Sequence, residues 1–134
     1  MSKLIDELKT EHQVLLSELT AIKDGGITDE KNQERLHGIK TALLNHLKKE
    51  DDHLYPALIK AAKGNTSLEF RVQHFASEMD KVAEHALGFF NKYESAAEVS
   101  LDFFKDYGRL ASTLKQRIKN EEAILYAEYN KHCS

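Results

Sequence analysis

The 134-residue chain is 41% hydrophobic and carries 19 Lys and Arg against 22 Asp and Glu, a formal net charge of -3. That length suits one domain over residues 1–134 with a single core, and the interspersed charges offer no broad attraction to nucleic acid or an anionic membrane. No apolar run approaches the roughly 18 residues that span a bilayer, Met1–Glu7 lacks the apolar stretch of a signal peptide, and the lone Cys133 leaves no disulfide framework; the expected location is the cytoplasm.

Leu4, Leu8, His12, Leu15, Leu19 and Ile22 recur at helical spacing and predict a first helix that ends at Gly25-Gly26. Thr28 is the expected cap of a second helix, with Asp29 and Glu30 in its first turn, running through Leu36, Ile39, Leu43, Leu47, Glu50 and Leu54. Pro56 should bend or end that helix, and Gly64-Asn65 closes the segment. Thr66-Ser-Leu-Glu69 has capping-box spacing before a third helix with Phe70, Phe75, Met79, Val82, Ala86 and Phe89/Phe90 as core positions. Ser95–Glu98 repeats that signature before a fourth, with Phe103, Tyr107, Leu110, Leu114, Ile118 and Leu125 inward. Strand-like alternation is absent. The expected fold is therefore all-α, an antiparallel up-down-up-down four-helix bundle.

Two segments read as versions of one another. His46-Leu-Lys-Lys-Glu50 leads into Leu54-Tyr55, and Arg117-Ile-Lys-Asn-Glu121 leads into Leu125-Tyr126. On the second and fourth helices, which run the same way, they can stand at equivalent levels, as an internal duplication would place them. His46 and Glu50, four residues apart, share a helix face and can converge on an ion. His74 and Glu78 repeat the spacing on the third helix. Arg117 and Glu121 repeat it on the fourth, but a guanidinium has no lone pair to give.

His12 interrupts the leucine stripe of the first helix, and Glu50 interrupts that of the second. A buried imidazole left unmatched costs about 1–3 kcal/mol, and a buried carboxylate needs a proton, a partner or a cation. His12, His46 and His74 with Glu50, Glu78 and Glu121 make a mixed nitrogen and oxygen donor set that suits iron, manganese or zinc. Six donors allow two ions bridged by Glu50 and Glu121, or one ion with some carboxylates behind its ligands. Surface ion pairing is the competing reading, above all for Glu78. His85 lies about 16 Å along the third helix from His74, too far to share an ion. His53, Tyr55 and Tyr126 are candidates to hydrogen-bond the ligands from behind. Glu34-x-x-His37 and Glu50-x-x-His53 have ferritin-like spacing but both lie on the second helix, which that architecture forbids.

Taken together, His12, His46-Leu-Lys-Lys-Glu50 with Leu54-Tyr55-Pro56, His74, and Glu121-Glu122 with Leu125-Tyr126 resemble the hemerythrin-like (HHE cation-binding) family over nearly the whole chain. The resemblance implies a four-helix bundle holding a non-haem di-iron centre, with His12, His46, Glu50, His74 and Glu121 as ligands and Glu50 and Glu121 as bridges. Two positions depart from the family pattern: Arg117 stands where the fourth-helix histidine is expected, and Glu78 where oxygen carriers have a second third-helix histidine. A more anionic, more open site follows, one that favours oxidised iron.

The leading expectation is a non-haem iron protein, more a binding protein than an enzyme, that binds dioxygen or a related small species in oxygen or redox sensing or in iron handling. The alternative is a metal-free or mono-metal diverged bundle acting through a protein partner as an interaction or regulatory module, with Arg117 supplying the missing positive charge. No nucleophilic Ser or Cys dyad accompanies the site, which disfavours hydrolytic chemistry.

Overall fold

A computed structural model of the chain describes residues 3–25, 30–93 and 101–133. Helix α1 (Lys3–Gly25) is followed by α2 (Glu30–Lys49), a π-helical turn π1 (Glu50–Leu54) and α3 (Tyr55–Ala61). Then come α4 (Thr66–Tyr93), α5 (Leu101–Asn120), a second π-helical turn π2 (Glu121–Leu125) and α6 (Tyr126–Cys133). Because α2, π1 and α3 form one continuous rod, and α5, π2 and α6 another, the architecture is the antiparallel up-down-up-down four-helix bundle, all helical among the described residues.

The inward stripes explain why the bundle closes. On α1, Ile5, Leu8, His12, Leu15, Leu19 and Ile22 are buried; on α2 and π1, Leu36, Ile39, Leu43, His46 and Glu50; on α5 and π2, Phe103, Tyr107, Leu110, Leu114, Arg117 and Glu121. Each is a run of three- and four-residue steps, the spacing of one helix face. The apolar members form two blocks. One packs Leu15, Leu19, Leu43, Phe89, Phe90, Phe103 and Leu114, and the other packs Leu8, Leu54, Leu58, Val72, Phe75 and Tyr126. Between them in every stripe but that of α4 stand the polar residues, so His12, His46, Glu50, Arg117 and Glu121 make a buried layer across the bundle.

Three expectations need correction. Phe70 is not a core residue: it is 74% exposed, because Leu68 and Val72 hold the inward positions two residues to either side. Asn65 rather than Thr66 caps α4, since its Oδ1 accepts the Leu68 N–H at 3.1 Å and the helix begins a residue earlier. Pro56 neither ends nor breaks the second rod; it sits in the first turn of α3, where a missing N–H is tolerated. The reversal falls at Gly64, whose φ of 81 suits a residue without a Cβ. The expected caps Thr28 and Ser95 lie outside the described residues.

The matched segments are matched in structure as well. Tyr55 N–H bonds to Glu50 O and Tyr126 N–H to Glu121 O, the five-residue bond of a π-turn, at the same place in each copy. The wider turn resets the helical phase, so adjacent residues Leu54 and Tyr55, and again Leu125 and Tyr126, are all buried.

Candidate metal centre

The layer is built around His12. Its Nε2 lies 3.1 Å from His46 Nε2, 3.2 Å from Glu121 Oε1 and 3.2 Å from Tyr126 Oη. Both imidazoles are held from outside by carboxylates. His12 Nδ1–H donates to Glu122 Oε2 at 2.8 Å, and His46 Nδ1–H donates to Glu11 Oε1 at 2.8 Å. Glu11 is steadied in turn by Lys49, whose Nζ donates to its other oxygen at 2.5 Å. Carboxylates behind both rings assign the protons to Nδ1 and aim both Nε2 atoms at one point.

Two lone pairs facing each other in a dry interior repel unless a cation or a proton stands between them. Burial works against a charge on His12, yet the hydrogen bonds to Glu121 and Glu122 outweigh it and raise its pKa above 6.5. For His46 burial prevails, reinforced by the neighbouring His12 charge, and its pKa is lowered. Without a metal, a proton is therefore held more readily on His12 than on His46. Of the two inward carboxyls, Glu50 is pushed well up by burial and then by Glu121. Glu121 is opposed by burial but held down by His12 and Arg117.

His12, His46 and Glu121 each offer one ligand atom, all within 4.8 Å of one another. Metal–nitrogen and metal–oxygen bonds of about 2.0–2.2 Å set ligand–ligand edges of roughly 2.9–3.4 Å. Both His12 edges in this set fall in that span and the third lies within 4.8 Å, so the donors can gather on one cation. Glu50 adjoins them, with Oε2 3.7 Å from His46 Nε2 and Oε1 buried without a hydrogen-bond partner.

The other half of the layer is different. Arg117 is 7% exposed, and its Nη2 donates to Tyr55 Oη at 3.0 Å, to the Phe75 carbonyl at 3.0 Å and to Glu121 Oε2 at 3.4 Å. Its guanidinium also lies 4.9 Å from the Phe75 ring centre. A fixed positive charge thus occupies the position matched to His46. His74 and Glu78 stand outside the cluster. His74 is exposed, Glu78 pairs with Lys81 at 3.3 Å, and both line an outer cleft between α4 and α5. Phe75 and Met79 hold the inward positions, and His74 and Glu78 each precede one of them, turned about 100° away.

Spacing did not reveal Glu11, which reaches His46 from α1 across 35 residues of sequence. Its signal would have been its place beside His12, facing the second helix. Tyr126 is a candidate from the duplicated segment, whereas the role of Glu122 at His12 Nδ1 emerges only from the structure. His53, in contrast, is exposed. A cavity of about 20 Å³ adjoins the donors, walled by Leu15, Leu43, Leu47, Met79, Leu114 and Ile118.

A four-helix bundle with a buried histidine and carboxylate layer defines a potential cation-binding protein. The family model described as hemerythrin HHE cation binding domain matches residues 3–129, and the chain belongs to that family. No curated protein and no solved structure matches it. No helix among the described residues is long and apolar enough to cross a membrane.

Proposed function

We propose that this chain is a diverged, single-cation member of the hemerythrin family whose metal occupancy serves a regulatory or interaction role through a protein partner, in a cytoplasmic setting. The observation that carries the reading is Arg117, a buried guanidinium on Glu121 where the duplicated half-site has His46. It supplies a permanent positive charge to one side of the layer and leaves donors for one ion on the other. His12, His46 and Glu121 would hold that ion, with Glu50 beside them. A redox-active ion such as iron would supply electron transfer to a small ligand, while a redox-inert one would fix packing alone. Glu11 and Glu122 orient the two rings, and the apolar walls exclude water.

Regulation is supported by what occupancy would change. With the ion absent, a proton taken up at His12 would join the Arg117–Glu121 pair in giving the layer a second arrangement. Glu121 opens π2, whose Ile124 is 40% exposed, so a shift at the layer reaches the surface within one turn. Binding of dioxygen or a related small species is the second reading. The apolar cavity next to the donors favours it, being about the size of one small molecule. A paired-iron centre has less support, because Arg117 and the outward His74 leave its second ion short of ligands.

The test is to strip the protein with chelator, reload it anaerobically with ferrous iron, and measure iron per chain with thermal unfolding and amide exchange. One iron per chain, a raised Tm and altered exchange in π2 are expected. Two irons per chain, or no metal bound when ferrous iron, manganese and zinc are each offered, would overturn the single-cation reading.

A further inference from the structure

Tyr126 is fully buried, at 0% exposure, with its ring in the second apolar block and its hydroxyl among the polar atoms of the layer. Its Oη is 3.2 Å from His12 Nε2 and donates to Glu50 Oε2 at 2.9 Å. Three atoms surround His12 Nε2 at nearly equal distance: His46 Nε2 at 3.1 Å, Glu121 Oε1 at 3.2 Å and Tyr126 Oη at 3.2 Å. Those separations match the ligand–ligand edges of roughly 2.9–3.4 Å expected around a transition-metal ion. A residue that only supported a ligand would touch the nitrogen turned away from the ion. Glu122 does that at Nδ1 of His12. Tyr126 approaches the other nitrogen, on the side where the donors converge.

The duplicated half gives an independent reason. Tyr55 is the counterpart of Tyr126, and its phenol oxygen accepts a hydrogen bond from the Arg117 cation at 3.0 Å. Where the layer already carries a fixed positive group, the matched tyrosine oxygen lies against it. The equivalent oxygen on the other side should face that side's cation in the same way.

We propose that Tyr126 is a direct ligand of the bound metal, through its phenol oxygen, completing a set with His12, His46 and Glu121. On ligation the phenol O–H bond would break and its proton would pass to the Glu50 carboxylate, whose Oε2 already accepts the phenol's hydrogen bond; a proton at His12 Nε2 would leave to water, and the phenol oxygen lone pair would go to the ion. A hard phenolate among imidazole and carboxylate donors favours a trivalent ion over a divalent one. The inference rests on the single-cation reading and adds to it both a ligand and a preference for ferric iron.

The experiment loads the whole chain with one equivalent of ferric iron and records visible absorption and resonance Raman spectra, with iron content measured alongside. A phenolate-to-iron charge-transfer band is expected, with ring modes that shift when the protein is grown on ring-deuterated tyrosine. Tyr126→Phe should abolish the band and Tyr129→Phe should retain it. One bound iron per chain without phenolate modes in the unsubstituted protein overturns Tyr126 ligation while the single-cation reading stands. A band that survives in Tyr126→Phe overturns it equally. No bound iron overturns Tyr126 ligation, and refusal of manganese and zinc as well overturns both. Should Tyr126→Phe fail to fold, the isotope shift in the unsubstituted protein decides whether any tyrosine ligates, and Tyr55→Phe with its band intact then leaves Tyr126 as the remaining tyrosine whose hydroxyl reaches the His12 layer; loss of the band in Tyr55→Phe overturns the assignment.

Discussion

Glu121 and Glu122, neighbours in sequence, clasp opposite nitrogens of one imidazole: Glu121 Oε1 is 3.2 Å from His12 Nε2 and Glu122 Oε2 is 2.8 Å from its Nδ1. The π-turn that begins at Glu121 lets one carboxylate face the layer while the next reaches around the ring from its half-exposed side. Glu122→Ala should therefore loosen His12 without emptying the core. Loss of such a supporting carboxylate costs about 10–100-fold in metal affinity. Competition with a chromophoric chelator will measure it, with urea unfolding of the metal-free chain as the control for structural damage.

Arg117 predicts two outcomes of opposite kind. Arg117→Met removes the positive partner of a buried carboxylate, and breaking such a pair costs about 3–5 kcal/mol. Urea denaturation of metal-free protein should show it, and an added divalent cation should return part of the loss. Arg117→His restores a neutral donor opposite His46, so bound metal by atomic emission should rise from one toward two per chain.

His74 and Glu78 lie outside the buried cluster and should be dispensable for the proposed site. His74→Ala and Glu78→Ala are each expected to change metal content and Tm by amounts within experimental scatter. Loss of bound metal in either variant would mean that α4 turns its outer face inward on loading.

Metal-free protein should have a stability profile with two shoulders. His12 titrates above its free value of 6.5, so its contribution is complete below that pH and is lost as pH rises through the raised folded value. Glu50, raised above 4.5, loses its contribution in the same direction. Glu121 is held below 4.5; its contribution is present above that pH and disappears as pH falls through the lowered folded value. His46, lowered from 6.5, favours the fold more as pH rises toward 6.5 from below, so it partly offsets the loss at Glu50 that begins above 4.5 and leaves the loss at His12 above 6.5 untouched. Thermal melts across pH should thus decline on the alkaline side of 6.5 and the acid side of 4.5. A flat profile between pH 6 and pH 9 would contradict the raised pKa of His12.

Much of this molecule can be read from spacing. The stripes of α1, α2 and α5 are regular enough that His12, His46, Glu50, Arg117 and Glu121 stand out as polar residues at core positions, and all are buried. α4 is harder because its apolar residues are crowded. His74 and Glu78 share the four-residue spacing of His46 and Glu50, but Phe75 and Met79 compete for the inward face and hold it. Spacing reports which residues share a face and leaves open which face wins; burying a ring or a thioether wins over burying an imidazole or a carboxylate. Glu11 was hidden for another reason. Its role depends on how closely α1 and α2 approach, a tertiary distance that no periodicity records.

The buried layer also bears on how the molecule comes apart. It separates two distinct apolar blocks, so the layer's own bonds and the four helix backbones carry mechanical continuity from one end to the other. With its donors satisfied, the bundle should melt as one cooperative unit. With them repelling, the two ends are joined more weakly, and calorimetry should record a broadened transition whose van't Hoff enthalpy falls below the calorimetric one.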